Sequence, residues 1–140
     1  ENSFDLVTFW HSLEHVYSLK NTTAEVNRLL KPGGVIIIAC PNFNSWDAKY
    51  YKSCWAAWDV PRHLRHFSLN SLKLLLAPKG YKQLGSIPLL LDAFYISMLS
   101  EKIKGNRFYF LKGIIVGFVS NFLAIFNKNY SSSVFVFKKN

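Results

Sequence analysis

Residues 4–16 read FDLVTFWHSLEHV, and the fold turns on whether their second half rides a long helix or emerges from a strand. On a helix, His11 and His15 lie four residues apart on one face with Glu14 beside them. That is the inverted His-x-x-Glu-His pattern, in which two imidazoles hold Zn²⁺ and the carboxylate acts as general base. FDLVTFW (4–10), however, is β-branched and aromatic without helical spacing, and predicts a buried strand. His11 then falls at the strand's carboxyl edge, where open α/β sheets bind ligands, and HSLEHVYSL (11–19) becomes a turn and short helix. A zinc hydrolase using His11, Glu14 and His15 stays as the lesser alternative.

The flanking sequence agrees with the strand. Asn21-Thr22-Thr23 offers an N-cap, and Val26, Leu29 and Leu30 follow at i, i+3 and i+4, predicting an amphipathic helix. Lys31-Pro32-Gly33-Gly34 stops it, since proline cannot continue a helix and glycine permits positive φ. VIIIACP (35–41) is apolar on both faces, as in a central parallel strand covered by helices. This is a βαβ unit. Residues 42–67 read as a loop, Ser68 caps a helix through Leu76 with Leu69, Leu72, Leu75 and Leu76 as its stripe, and Gly80 ends that region. YKQLGSIP (81–88) is a weaker strand. Helical segments at about 89–103 and 109–126 precede an alternating strand, SSSVFVFKK (131–139). The order is β-α-β-α-β-α-α-β, the second half of an α/β sheet.

The chain has 140 residues, half of them apolar, so one domain is expected and disorder is not. Its net charge of +9 suits an acidic partner, but apart from Arg62–Arg65 and Lys138–Lys139 the cations are dispersed. A solvated basic face is expected, not a nucleic-acid footprint. Cys40 and Cys54 are too few for a disulfide framework, and Cys40 reads as a small buried hydrophobe. A reducing, cytoplasmic setting fits, with no signal peptide visible. The apolar runs 87–99 and 113–126 fall short of the ~20 residues of a spanning helix. Glu1 is not an initiator Met and stands directly before a strand, as in the interior of a longer protein.

FDLVTFWHSLEHV, a helix ending RLLKPGG, and VIIIACPN together resemble the middle of class I S-adenosylmethionine-dependent methyltransferases. The likeness covers residues 4–88 well and extends to 131–138. It implies the C-terminal half of a Rossmann-like fold, a mostly parallel sheet with an antiparallel last strand. Residues 1–140 would form a partial methyltransferase domain, with a helical insertion at 89–130. The quinone-precursor O-methyltransferases are the most similar branch, sharing FD-V-T and a turn ending LEHV. The resemblance places the methionine end of S-adenosylmethionine at Phe9, Trp10 and His11, although Phe9 and Trp10 also suit plain core aromatics. In that branch an acidic residue, a Glu and a His hold a divalent metal. The matching positions are His11, Glu14 and His15, of which Glu14 and His15 are the candidate ligands. His11 in place of a carboxylate disfavours Mg²⁺, which prefers oxygen.

A second constellation is DVPRHLRHFS (59–68). His63 or His66 is a candidate general base, since imidazole titrates near pH ~6.5, and Arg62 and Arg65 are candidates to hold an acidic group on the acceptor. The alternative is a salt-bridged loop in which His66 buttresses the following helix. Trp55 and Trp58, with Trp46, Tyr50 and Tyr51, would roof an apolar substrate or pack as a lid on the core.

Residues 89–130 carry Ile114, Ile115, Phe118, Val119, Phe122, Leu123 and Phe126, apolar around more than one helix face. Packing within the protein is the default; a homodimer interface or peripheral membrane contact are alternatives, the latter because Lys102, Lys104, Arg107, Lys112 and Lys128 flank the helices. No G-x-G-x-x-G occurs, so the fragment lacks the glycine-rich cofactor loop. Alone it is expected to be inactive, with little cofactor affinity and a sheet edge needing cover by dimerisation. The expected function is methyl transfer to a small, lipophilic acceptor; the alternative from another class is a non-catalytic binding module of the same fold.

Overall fold

A computed structural model describes residues 1–140. Four strands form one sheet: β1 (Phe4–Trp10), β2 (Leu30–Pro41), β3 (Tyr81–Pro88) and β4 (Ser132–Lys139), in the order β1-β2-β4-β3. β1 and β2 pair in parallel, with Val7 opposite Ile36 and Trp10 opposite Ala39. β4 lies antiparallel between β2 and β3. Three strands therefore share a direction and the last opposes them, as expected, but only one neighbouring pair is parallel.

Five helices complete the chain: α1 (Leu19–Leu29), α2 (Trp46–Tyr51), α3 (Leu69–Leu76), α4 (Leu90–Ile103) and α5 (Tyr109–Asn127). α1 begins earlier than Asn21-Thr22-Thr23 suggested. Ser18 is its N-cap, accepting from the Asn21 N–H, while the Thr23 hydroxyl bonds back to the Leu19 carbonyl inside the helix. β2 starts at Leu30, straight through the Lys-Pro-Gly-Gly segment, where Gly33 adopts φ +79°. A side chain there would be strained. Ser68 caps α3 as predicted, and Ser71 completes a reciprocal capping box.

The principal core lies on one face of the sheet. Ile36, Ile38 and Cys40 of β2 and Phe135 and Phe137 of β4 meet Val26, Leu72 and Leu76 from α1 and α3. Complete burial of a Leu is worth roughly 1.5–3 kcal/mol, and Leu72 and Leu76 are 0% and 1% exposed. The Lys139 ammonium donates to the Asn27 and Leu30 carbonyls, tying the end of β4 to the end of α1.

Two expectations need correction. β1 is not buried: it is an edge strand with a single neighbour, and Phe4, Leu6 and Trp10 are exposed while Val7 and Phe9 lean on the core. β2 is fully covered on one face only, Val35 and Ile37 being half-buried.

Residues 42–67 are also more ordered than a loop. α2 opens on Ser45, whose hydroxyl accepts from the Ala48 N–H. A second small core then joins Ala48, Tyr51, Trp55 and Ala57 to Ile96 and Val116 of the two long helices.

Its centre is Asp47, completely buried. One carboxylate oxygen accepts from Ser120 Oγ at 2.7 Å; the other accepts from Trp55 Nε1 at 2.7 Å and Ser131 Oγ at 2.6 Å. The 42–67 segment, α5 and the approach to β4 are thus held by one charged acceptor.

α4 and α5 form a close hairpin. Gly113 and Gly117 face α4 so tightly that a Cβ on Gly113 would lie 2.5 Å from Met98 Cα, and one on Gly117 2.6 Å from a ring carbon of Phe94.

Candidate functional site

β1 ends at Trp10, and the next residue turns the chain out of the sheet. His11 takes φ +43° while its N–H still donates to the Ala39 carbonyl of β2. Positive φ in a non-glycine residue is uncommon and collects at functional sites. Leu13–His15 is a single 3₁₀ turn, so HSLEH never enters a long helix. The two-histidine helix face that the zinc-hydrolase alternative requires does not form.

That turn buries Glu14 to 1% exposure, and its backbone carbonyl accepts from the Leu64 and Arg65 N–H groups, pinning the 59–66 segment over the β1 edge. Neither Glu14 carboxylate oxygen has a hydrogen-bond partner. Imidazoles surround it instead: His11 Nδ1 at 3.6 Å and His63 Nε2 at 4.0 Å from Oε1, ion-pair distances that exceed a hydrogen bond. His11 Nε2 also stands 3.6 Å from Asp92 of α4. The Glu14 carboxylate is the main influence raising His11 above its ordinary pKa; Asp92 adds to it and partial burial opposes it.

His15 meets His63 edge to face, ring centroids 4.8 Å apart. His15 Nδ1 faces the Arg62 carbonyl at 2.9 Å, and His63 Nδ1 the Ala57 carbonyl at 2.8 Å. A carbonyl only accepts, so each Nδ1 carries a proton and in the neutral ring each Nε2 keeps its lone pair. Glu14, His15 and His63 each offer one ligand atom within 4.8 Å of the others. This donor set fits a divalent ion that accepts nitrogen, and fits Mg²⁺ poorly. Hydrogen-bonded Nδ1 groups and a carboxylate without partners are what such a ligand set needs.

A cavity of about 680 Å³ opens beside the cluster. Pro41 and His11 mark the carboxyl ends of β2 and β1 along one margin, with Asp59, Arg62 and His63 beside them. α4 supplies the other wall through Asp92, Tyr95, Ile96, Leu99, Lys102 and Ile103. It is the sheet edge at which the sequence placed ligand binding.

The remaining candidates divide. Arg62 reaches the cavity, but its guanidinium is paired with Asp59 Oδ1 at 2.7 Å. Arg65 does not line it and donates to the Leu64 carbonyl. His66 turns away, its Nε2 on the Trp58 carbonyl at 2.9 Å and its ring against the Trp58 indole. Trp55 is buried on Asp47, and Trp58 packs between Trp55 and His66. The tryptophans form a wall behind the cavity, with neither lining it.

Phe9 leans into the core, whereas Trp10 presents an exposed indole beside His11. Of the residues lining the cavity, the His11 imidazole would suit the carboxylate of a bound S-adenosylmethionine, and Asp59 and Asp92 its sulfonium. Asp92, Tyr95 and Asp47 escaped the sequence reading. Asp47 and Asp92 each sit in the first turn of a helix, a common surface position, and only the tertiary packing turns them inward.

Strand order, the antiparallel last strand and a site on the carboxyl edge define an α/β fold of the class I S-adenosylmethionine-dependent methyltransferase type. Residues 1–84 match the methyltransferase domain family, and the chain belongs to it. No curated protein matches the chain.

Among solved structures, the [4+2]-cyclase SpnF superposes with TM-score 0.57 at 17% identity, over 99% of this chain and 50% of its own. An S-adenosylmethionine-dependent methyltransferase from Methanosarcina mazei gives 0.56 at 18%, over 99% and 60%. Phosphoethanolamine N-methyltransferase 2 of Haemonchus contortus, in complex with S-adenosyl-L-methionine, gives 0.51 at 20%, over 99% and 34%. The chain thus spans between a third and three-fifths of the length of these proteins, and at such identities the likeness is one of fold.

Proposed function

We propose that the protein containing this chain transfers a methyl group from S-adenosylmethionine to a nucleophilic atom of a small, lipophilic acceptor in the His11–Ile103 cavity. One observation carries the reading. An apolar wall of α4 faces an imidazole, His63, whose Nδ1 is committed to a carbonyl and whose Nε2 is free to take a proton.

When bound, S-adenosylmethionine supplies a methyl group already activated on a sulfonium. The residues here supply the rest. Ile96, Leu99 and Ile103 exclude water from the acceptor and hold it in line. His63 Nε2 removes the acceptor's proton as its lone pair forms the new bond, and Glu14 and Asp59 stabilise the resulting imidazolium.

The test follows S-adenosylhomocysteine formation by the full-length protein against a panel of apolar phenols and amines. His63→Gln should lose about 10²–10⁴-fold in kcat, and His66→Gln, turned from the cavity, should stay within a few-fold. Equal rates for wild type and His63→Gln would refute the assignment.

The unpartnered Glu14 carboxylate supports a second reading, a divalent metal held by Glu14, His15 and His63. Such an ion would polarise an acceptor oxygen as a Lewis acid. Metal content of the purified protein and of Glu14→Gln decides it: stoichiometric metal lost in the variant establishes the site, and chelator-insensitive turnover leaves His63 as the base.

A further inference from the structure

The outer face of the α4–α5 hairpin exposes a run of large apolar side chains. Of the 19 residues of α5, only Gly113, Val116, Gly117, Ser120 and Ala124 are buried. The buried side is the small-residue side, Gly113, Gly117, Ser120 and Ala124; the two glycines pack on α4 and Ser120 bonds Asp47 of α2. Opposite it, Leu111, Ile115, Phe118, Phe122, Ile125 and Phe126 are each more than half exposed. No charged residue lies between Lys112 and Lys128. The hairpin tip adds Ile103 and Phe108, also more than half exposed.

Charge is placed around this face and not on it. Lys102, Lys104, Arg107, Lys112 and Lys128 frame it, against two carboxylates on the hairpin, Asp92 and Glu101. Glu101 is fully buried, and Asp92 faces His11 in the cavity. Lys112 is paired with Glu101, its Nζ 3.5 Å from Oε1, so the free cations of the fringe are Lys102, Lys104, Arg107 and Lys128.

We infer that this face docks on an anionic phospholipid surface, with α5 lying in the plane of the headgroups, its aromatic side inserted and the flanking cations on lipid phosphates. A second copy of the chain fits worse, because two such faces would bring cationic rims together with no exposed carboxylate to pair them. A spanning helix also fits worse. At 19 residues α5 exceeds the apolar run 113–126 that the sequence suggested and, at about 28 Å, is long enough to span, but Ser120 is bound to the buried Asp47 and Asn121 to the Leu90 carbonyl, so crossing a bilayer would tear the helix from the domain. Lys102 and Ile103 belong both to the hairpin tip and to the cavity wall. The docked face therefore borders the cavity mouth, an arrangement suited to an acceptor dissolved in lipid. That last clause rests on the proposed methyl transfer; docking itself does not.

The test is co-sedimentation of the full-length protein with vesicles of phosphatidylcholine alone or of phosphatidylcholine with about one-third phosphatidylglycerol, beside light scattering without lipid. Wild type should bind the anionic vesicles, lose binding as salt rises, and bind the neutral ones far more weakly. Arg107→Gln and Lys128→Gln should each weaken partitioning about five-fold. Phe122→Glu/Phe126→Glu should abolish it while circular dichroism stays native, since both rings are exposed.

Absence of binding to anionic vesicles would overturn the inference. So would a dimer broken by Phe122→Glu/Phe126→Glu in a protein that ignores lipid, which assigns the face to a second copy. Carbonate-resistant insertion would overturn it in favour of a spanning helix. None of these readouts depends on turnover, so they leave the methyl-transfer reading to its own test.

Discussion

Replacing Asp47 by alanine should cost more stability than any surface change in this chain. Its carboxylate receives three buried hydrogen bonds, from Trp55, Ser120 and Ser131. Asp47→Ala strands these donors where water does not reach. An unsatisfied buried donor costs about 1–3 kcal/mol. Ser120 lies within a helix and has the carbonyl one turn back as a substitute partner, leaving Trp55 Nε1 and Ser131 Oγ. The expected loss is therefore about 3–5 kcal/mol, reduced somewhat because a buried charge is removed as well. A domain of this size is stable by roughly 7–20 kcal/mol, so the loss is a large fraction of the whole. Asp47→Asn should be milder, about 1–2 kcal/mol, because the amide still accepts from two donors and donates to the third. Urea denaturation by tryptophan fluorescence measures both. With a slope of about 2 kcal/mol/M, Asp47→Ala should lower the midpoint by roughly 2 M. A loss below ~1 kcal/mol for alanine, or equal losses for both variants, would refute the view that this carboxylate joins α2, α5 and the approach to β4.

Two further outcomes are expected. Gly113→Ala should destabilise despite alanine's advantage of about 1 kcal/mol in helices, because the new Cβ would meet backbone atoms of Met98, the nearest at 2.5 Å; a neutral or raised melting temperature would show that the hairpin relaxes freely. An NMR titration of His11 should give a midpoint above its ordinary ~6.5, falling in Glu14→Gln. Because the folded value is raised, the stabilisation from His11 is complete below the unfolded value and disappears as pH rises through the folded one. A midpoint at or below ~6.5 would remove Glu14 as its partner.

The legible part of the fold was local. Ser68 and the leucines at 69, 72, 75 and 76 fix a capped amphipathic helix whatever surrounds them, and FDLVTFW before HSLEH placed the histidines at a strand end. Residues 42–67 were less readable because Trp46–Tyr51 is too short to show a helical period, and its order comes from partners such as Ser120 and Ser131, more than seventy residues away. At the candidate site, His63 and His66 share composition, spacing and flanking arginines. Nothing in the sequence separates them.

The chain's own pattern of apolar spacing, caps and glycine turns determined its strands and helices, since those forces act within a few residues. Which imidazole faces the cavity, that Glu14 is enclosed by histidines, and that α5 leaves its aromatic side uncovered were decided only by tertiary packing. Each depends on segments distant in sequence arriving at the same edge of the sheet, and no local propensity encodes that meeting.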